Sequence, residues 1–403
     1  MTDPAILELE RRLRRYPVDR YPVQHATARF HLGVALADAG DLDAAEAALR
    51  AAAALFGDTR LWVEQAKALN ALGAVLRLAG RFGEAAAALA EAAESFRTAA
   101  QPLEEGAARF NLGLVRRSLR EHEGAAAVLE DARRLLDERR VPAQAAAAAR
   151  ELGVTLLEIG DLASASEWLE EAARLCAEHG DRAGLGAALN ALGLARLAAG
   201  EPAAAVEALR DAAAAHPRPV RPQEHAMAKA NLALAHERGG NLARARMAAA
   251  QALAVPEAPP PVVEQARAAL ARLGPPDGAV LAVLDEEPVE RWPAVVREEL
   301  PRLLSSPVEE REAELGRWVE ATAGRGADFA EAWLAALLEL PPTEFETLVR
   351  AIVRAAGRLE PGAAERVRAE VASASARFHV PQLLRLREIF DRAAADLGQR
   401  SWS

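Results

Sequence analysis

Small and apolar positions recur along the first 256 residues with a period of forty. Leu-Gly pairs stand at Leu32-Gly33, Leu72-Gly73, Leu112-Gly113, Leu152-Gly153 and Leu192-Gly193, and Leu232-Ala233 continues the series. Counting from each Gly33-type anchor, alanine returns twelve residues on (Ala45, Ala85, Ala125, Ala165, Ala205, Ala245). It returns again nineteen on (Ala52, Ala92, Ala132, Ala172, Ala212, Ala252). Sixteen on stands leucine, from Leu49 to Leu209, with Ala249 in the last unit. Seven on stands glycine, with Arg120 as the exception. A phase kept over six units without a slipped residue is architecture, because stacked repeats each need the same faces covered.

The punctuation turns each unit into a helical hairpin. Pro22, Pro102, Pro142 and Pro222 fall eleven residues before the anchor, and proline suits the first helical turn, where its missing N–H has no partner to lose. Helix A of the first unit therefore runs from near Pro22 to Gly40, where glycine takes the left-handed, helix-ending conformation. Asp41 can cap helix B, expected over 42–56, and Asp161 and Asn241 hold the equivalent place. Small residues at the anchor and at twelve and nineteen beyond it let the two helices approach closely.

This phasing resembles the tetratricopeptide repeat family, which pairs Leu-Gly in its first helix with an Ala-containing pattern in its second. The resemblance covers about 22–256. The sequence departs from the family where its tryptophan belongs, four before the anchor: Arg29, Leu69, Arg109, Ala149, Leu189 and Lys229 stand there. The period also exceeds the family's usual length of about 34 residues, which the early prolines explain as a longer helix A. The resemblance implies an all-α, right-handed superhelical solenoid of six hairpins with capping helices.

At the ends, Ile6, Leu9, Leu13 and Tyr16 form one helical stripe over 4–16, expected to cap the first hydrophobic face. Residues 262–274 read as a degenerate seventh helix A, and "GPPDG" (274–278) closes the array. A solenoid over 1–274 and a C-terminal helical domain over 279–403 are the expected domains. The second lacks the forty-residue phase, resembles no named family, and reads as helices at 288–304, 307–322, 328–340, 342–358, 362–377 and 381–397. Trp292, Trp318, Trp333 and Trp402 lie there, the first three as expected core anchors. Residues 281–349 are acid-rich and 350–403 modestly basic, as in a helical bundle that packs on itself, on the solenoid or on a partner.

A net charge of −10 argues against nucleic acid or a membrane surface as partner. With Cys176 as the only cysteine and no long apolar run, a reducing, cytoplasmic setting without a membrane span is expected. Only Lys67 and Lys229 are lysines among 49 basic residues, a bias that with the abundant alanine suggests a GC-rich, bacterial source.

Catalytic chemistry is not evident. His25 and His31 are six apart and His225 and His236 eleven apart, so neither pair has the i, i+4 spacing of a helical zinc site. Cys176 reads as a buried thiol, "GLG" at 184–186 lies inside a helix, and "GRG" at 324–326 lacks the Lys-Ser/Thr of a phosphate loop. No cofactor, no metal site and no enzyme activity are expected.

The resemblance implies that the A helices line a concave, peptide-binding face. Positions three before, one after and four after the anchor share a stripe: Phe30, Asn70, Phe110, Arg150 and Asn190; then Leu114, Val154 and Leu194; then Arg77 and Arg117. The middle position is apolar in every unit, which excludes the dicarboxylate clamp of co-chaperone members. What remains is an apolar floor with asparagine amides able to meet an extended backbone and three arginines from consecutive units. The expected function is a non-enzymatic scaffold or adaptor, taking a partner segment in which acidic residues alternate with apolar ones. Two alternatives stand beside it: a regulator in which a peptide or ligand enters the groove and changes how the C-terminal bundle acts on a partner, and an enzyme with a site between solenoid and bundle. The bundle is also the candidate surface for pairing with a second copy.

Overall fold

The computed structural model describes residues 4–136 and 140–402. Among these the chain is all-helical and carries no strand. It divides into two compact units, Met1–Glu201 and Pro202–Ser403.

The first unit begins with the capping helix α1 (Pro4–Arg15), whose Ile6 is buried while Leu9, Leu13 and Tyr16 are half-buried. Four hairpins follow: α2 (Pro22–Asp38) with α3 (Leu42–Asp58), α4 (Trp62–Leu78) with α5 (Phe82–Thr98), α6 (Pro102–Ser118) with α7 (His122–Leu135), and α8 (Pro142–Ile159) with α9 (Leu162–Glu178). The unit closes with α10 (Arg182–Ala198). Each helix packs on its neighbours in sequence, within a hairpin and between hairpins.

The forty-residue phase has a steric cause. A Cβ on Gly33 would stand 2.6 Å from Leu49 Cγ, and one on Gly153 the same distance from Leu169 Cγ. The leucine sixteen residues on thus sits against bare backbone, and the alanines at twelve and nineteen are wholly buried beside it. In the last repeat both partners change together, to Ala233 and Ala249, each 0% exposed. A methyl gained on one helix is matched by carbon lost on the other, so volume is roughly conserved.

Turns follow the same phase. Gly40, Gly80 and Gly160 adopt left-handed backbone at the end of helix A, and Arg120 takes it at φ 63 without glycine's freedom. Asp41 and Asp161 cap α3 and α9 by accepting from the amides of Ala44 and Ser164, each at 3.2 Å.

In the second unit α11 (Pro202–Ala215), α12 (Pro222–Arg238), α13 (Leu242–Leu253) and α14 (Pro260–Leu273) continue the repeat pattern. Asn241 precedes α13 without capping it through its side chain, contrary to expectation. Next comes a short helix that the sequence pattern did not suggest, α15 (Ala279–Glu286), and a 3-10 turn at Val289–Arg291. The remaining helices are α16 (Trp292–Ser305), α17 (Val308–Arg325), α18 (Ala327–Leu338), α19 (Pro342–Ala356), α20 (Pro361–Ser375) and α21 (Val380–Asp396).

Pairing changes here. α16 packs chiefly on α18, α17 on α19, α18 on α20 and α19 on α21, each skipping a helix. Their core holds Trp318, Phe329, Trp333, Phe345 and Phe390, and also Ala243 and Met247 from α13. Trp292 is half-buried and donates its indole N–H to Leu284 O at 3.0 Å. Trp402, not expected as an anchor, is buried against Phe390 with ring centroids 5.0 Å apart.

Candidate functional site

In the first unit the A helices lie side by side, α2 by α4, α4 by α6, α6 by α8 and α8 by α10. Their shared stripe carries Phe30, Phe110, Leu114, Val154 and Leu194, all half-buried. Asn70 accepts from the Asn111 amide at 3.0 Å across α4 and α6, which occupies one of its two hydrogen-bonding groups. Asn190 is buried.

The three arginines differ. Arg117 Nη1 lies 2.5 Å from Glu151 Oε2, and Arg150 Nη2 lies 2.8 Å from Glu151 Oε1. Glu158 approaches Arg117 at 4.0 Å. One carboxylate thus bridges two guanidinium groups and cancels part of the positive field. Arg77 is half-buried and its Nε has no hydrogen-bond partner among the described residues.

A second site lies wholly within the second unit, and the sequence reading missed it. A cavity of about 660 Å³ opens between α11, α12, α13 and α16, within the range of small-ligand sites. His225, Lys229, Leu232 and His236 of α12 line it. They fall at i, i+4, i+7 and i+11, one helical face, distinct from the stripe of Ala230, Leu234 and Glu237. Apolar wall comes from Val206, Ala213, Ala214, Ala294 and Val295.

Six cationic side chains line the cavity (Arg210, Arg218, Lys229, Arg244, Arg291, Arg302) against two carboxylates, Glu287 and Glu298. Glu287 is taken by Arg244. Arg302 is held by the buried Glu299, which also accepts from Gln251 Nε2 at 3.0 Å. Arg218 donates only to neutral acceptors, Pro301 O at 2.7 Å, Ala254 O at 2.6 Å and Ser305 Oγ at 2.5 Å. Burial lowers the affinity of Lys229 for its proton, and Glu298 and Glu299 only partly restore it. Burial, reinforced by Arg244, Lys229 and Arg210, depresses His236 to about 4. His236 is 6% exposed and its Nδ1 has no hydrogen-bond partner among the described residues.

Cys176 is buried, and burial, reinforced by Asp181, raises its thiol to about 11, which keeps it in the thiol form near neutral pH. No group of three or more His, Cys, Asp or Glu among the described residues is arranged to hold a metal ion. No helix among them is long and apolar enough to cross a membrane.

Comparison with known proteins bears on the repeats. A tetratricopeptide repeat family model matches residues 5–59 and 190–261. Among solved structures, the apo form of the quorum sensor NprR from B. thuringiensis is similar over 94% of this chain and 90% of its own, at 11% identity and a TM-score of 0.50. RapI in its apo form matches 83% of this chain and 99% of its own at 12% identity and a TM-score of 0.45. Pseudomonas aeruginosa PilF matches 61% and 97% at 16% identity and a TM-score of 0.47. No curated protein sequence matches the chain. At these identities the structural likeness speaks for the fold alone. The Leu-Gly/Ala phase, the hairpin packing that it produces and the family match over residues 5–59 and 190–261 together support a tetratricopeptide repeat array.

Proposed function

We propose that the chain is a non-enzymatic interaction scaffold whose first unit takes a partner segment along its A helices. The observation that carries the reading is the row of half-buried apolar side chains, Phe110, Leu114, Val154 and Leu194, on helices packed side by side. Half-buried apolar groups in a continuous row gain by further burial, at about 25 cal/mol per Å². At one end of the row Arg77 supplies a guanidinium whose Nε has no hydrogen-bond partner among the described residues. Arg117 and Arg150 already share Glu151, so an acidic residue on the partner meets Arg77 first. The partner chemistry this favours is a leucine- or phenylalanine-rich segment with a carboxylate near one end.

Photo-crosslinking tests it. Benzoylphenylalanine at Leu114 should capture one partner from the native host, and the same group at the exposed Glu91 of α5 should not. Adding Arg77→Glu should weaken that capture. Equal capture from both positions, or none at Leu114 while the chain still pulls down its partner, removes binding from the A-helix row.

A further inference from the structure

The cavity in the second unit is a second candidate site, and nothing in the repeat pattern requires it. Its polar groups point to what it takes. Buried charges are ordinarily paired, because an unpaired one has lost its water without replacement. Of the carboxylates near the wall, Glu287 is engaged by Arg244 and Glu299 by Arg302, and Glu298 acts on Lys229 through space without an ion pair among the described residues. Lys229 lines the cavity without a hydrogen bond or ion pair among the described residues. His236, more than nine-tenths buried on the same face of α12, lines it as well, and its Nδ1 has no hydrogen-bond partner among the described residues. Arg218 adds a guanidinium whose acceptors are all uncharged.

An unpaired ammonium, a ring nitrogen without a partner and a guanidinium whose charge is met only by neutral acceptors, all around one space, are complementary to an anion. The rest of the lining is complementary to something else: Val206, Ala294 and Val295 from α11 and α16, with Leu232 between the polar groups of α12, offer apolar contact. We propose that this cavity binds a small organic anion, its carboxylate or phosphate held by Lys229 and His236 and its apolar body against Leu232 and Val295. The site lies on the face of α12 away from Ala230, Leu234 and Glu237, so it is independent of the A-helix row. It would remain if that row bound nothing.

The charge of the ligand relieves a repulsion that the empty site carries. Lys229 and Arg218 disfavour a proton on His225, and Lys229, Arg244 and Arg210 disfavour one on His236. An anion among them offsets each of these contacts at once, whereas a neutral molecule of the same shape offsets none.

The test is calorimetric titration of the full chain with decanoate, decanol and inorganic phosphate as probes. Decanoate carries head and body, decanol the body alone, phosphate the head alone. Decanoate should bind at least tenfold tighter than decanol. Lys229→Met keeps the unbranched stem of the side chain, one atom shorter, and removes its charge. It should weaken decanoate at least tenfold, leave decanol unchanged, and raise the thermal midpoint of the unliganded chain because an unpaired buried charge is gone. His236→Gln should weaken decanoate less. Arg77→Ala, in the first unit, should change nothing. Phosphate binding as tight as decanoate binding, and lost in Lys229→Met, would keep the anion and discard the apolar body. The proposal is overturned if decanoate binds parent and Lys229→Met equally, if decanol binds as well as decanoate, or if none of the probes binds at millimolar concentration.

Discussion

Leu129 fills the space that a side chain on Gly113 would need: a Cβ there would lie 2.5 Å from Leu129 Cγ. Gly113→Ala should therefore overpack the α6/α7 contact and cost about 1–3 kcal/mol. Leu129→Ala alone leaves a cavity and should cost about 2–5 kcal/mol. The double variant reproduces the Ala233/Ala249 pair of the last repeat and should cost clearly less than the two singles together. Chemical denaturation of all four chains gives the coupling energy, and strict additivity would mean that the two positions do not share space.

Ala125 gives a simpler test of the same packing. It is 0% exposed, and Ala125→Phe should lower stability by about 1–3 kcal/mol or more. An unchanged denaturation midpoint would show that position twelve does not face helix A.

Arg120 occupies the left-handed turn that glycine fills at Gly40, Gly80 and Gly160. Left-handed backbone costs a residue with a Cβ about 1 kcal/mol, and the Arg120 side chain is exposed. Arg120→Gly should raise the thermal midpoint, despite the greater freedom glycine gives the unfolded chain. A lower midpoint would mean that the arginine side chain contributes more than its backbone strain removes.

Acid should weaken the second unit through His236. Its folded-state value of about 4 lies below the ordinary 6.5, so the folded chain refuses a proton that the unfolded chain accepts. Above pH 6.5 neither form is protonated and this stabilisation is complete. It is lost progressively as pH falls from 6.5 towards 4, by about 3 kcal/mol at the lower end. Thermal midpoints between pH 7 and pH 4.5 should fall less steeply in His236→Gln than in the parent. Identical slopes would show that the imidazole is solvated in the folded chain.

Met247 distinguishes two ways of dividing the chain. The "GPPDG" break places a boundary at 274–279, whereas the compact units meet at Glu201 and Pro202. Met247 of α13 is 3% exposed in the same core as Val280 and Trp318. If α13 and the C-terminal helices unfold together, Met247→Ala should destabilise the transition reported by tryptophan fluorescence by about 2–5 kcal/mol. A boundary at 274–279 predicts instead that this transition stays where it is.

The repeat was legible because one steric fact, leucine against bare backbone, has to be written again in every unit. The helices after 279 were legible one by one from prolines and apolar stripes, but not α15, which is only eight residues long, too short to show a period. The stripe residues fall on the A helices, yet the pairing of Arg117 and Arg150 with Glu151 was not foreseen. Glu151 follows Arg150 directly and falls outside the three positions considered, so its reach to the neighbouring helix had no signature in the stripe. The cavity left a clue that spacing rules for metals discard. His225 and His236 are eleven residues apart, three turns of helix, and so share a face with Lys229. Lys229 itself stands at the family's tryptophan position, where a packed apolar side chain is expected. What the sequence could not supply was where the helix over 288–304 packs: as α16 it forms the facing wall, and it belongs to a region without repeat phase.

The change from adjacent to alternate helix pairing has a consequence for how the chain is made. In the repeats, each new helix meets a surface already synthesised immediately before it, so structure can accumulate one helix at a time behind the ribosome. After α15 that no longer holds. Helix α16 waits for α18, and α17 waits for α19, so apolar faces such as those of Val296 and Leu315 stay uncovered until chain well beyond them has emerged. Contacts between segments distant in sequence form more slowly, and the exposed intermediates are prone to associate. Aggregation during synthesis, or dependence on a chaperone, should therefore arise in the last third of the chain, with the repeats already folded when it begins.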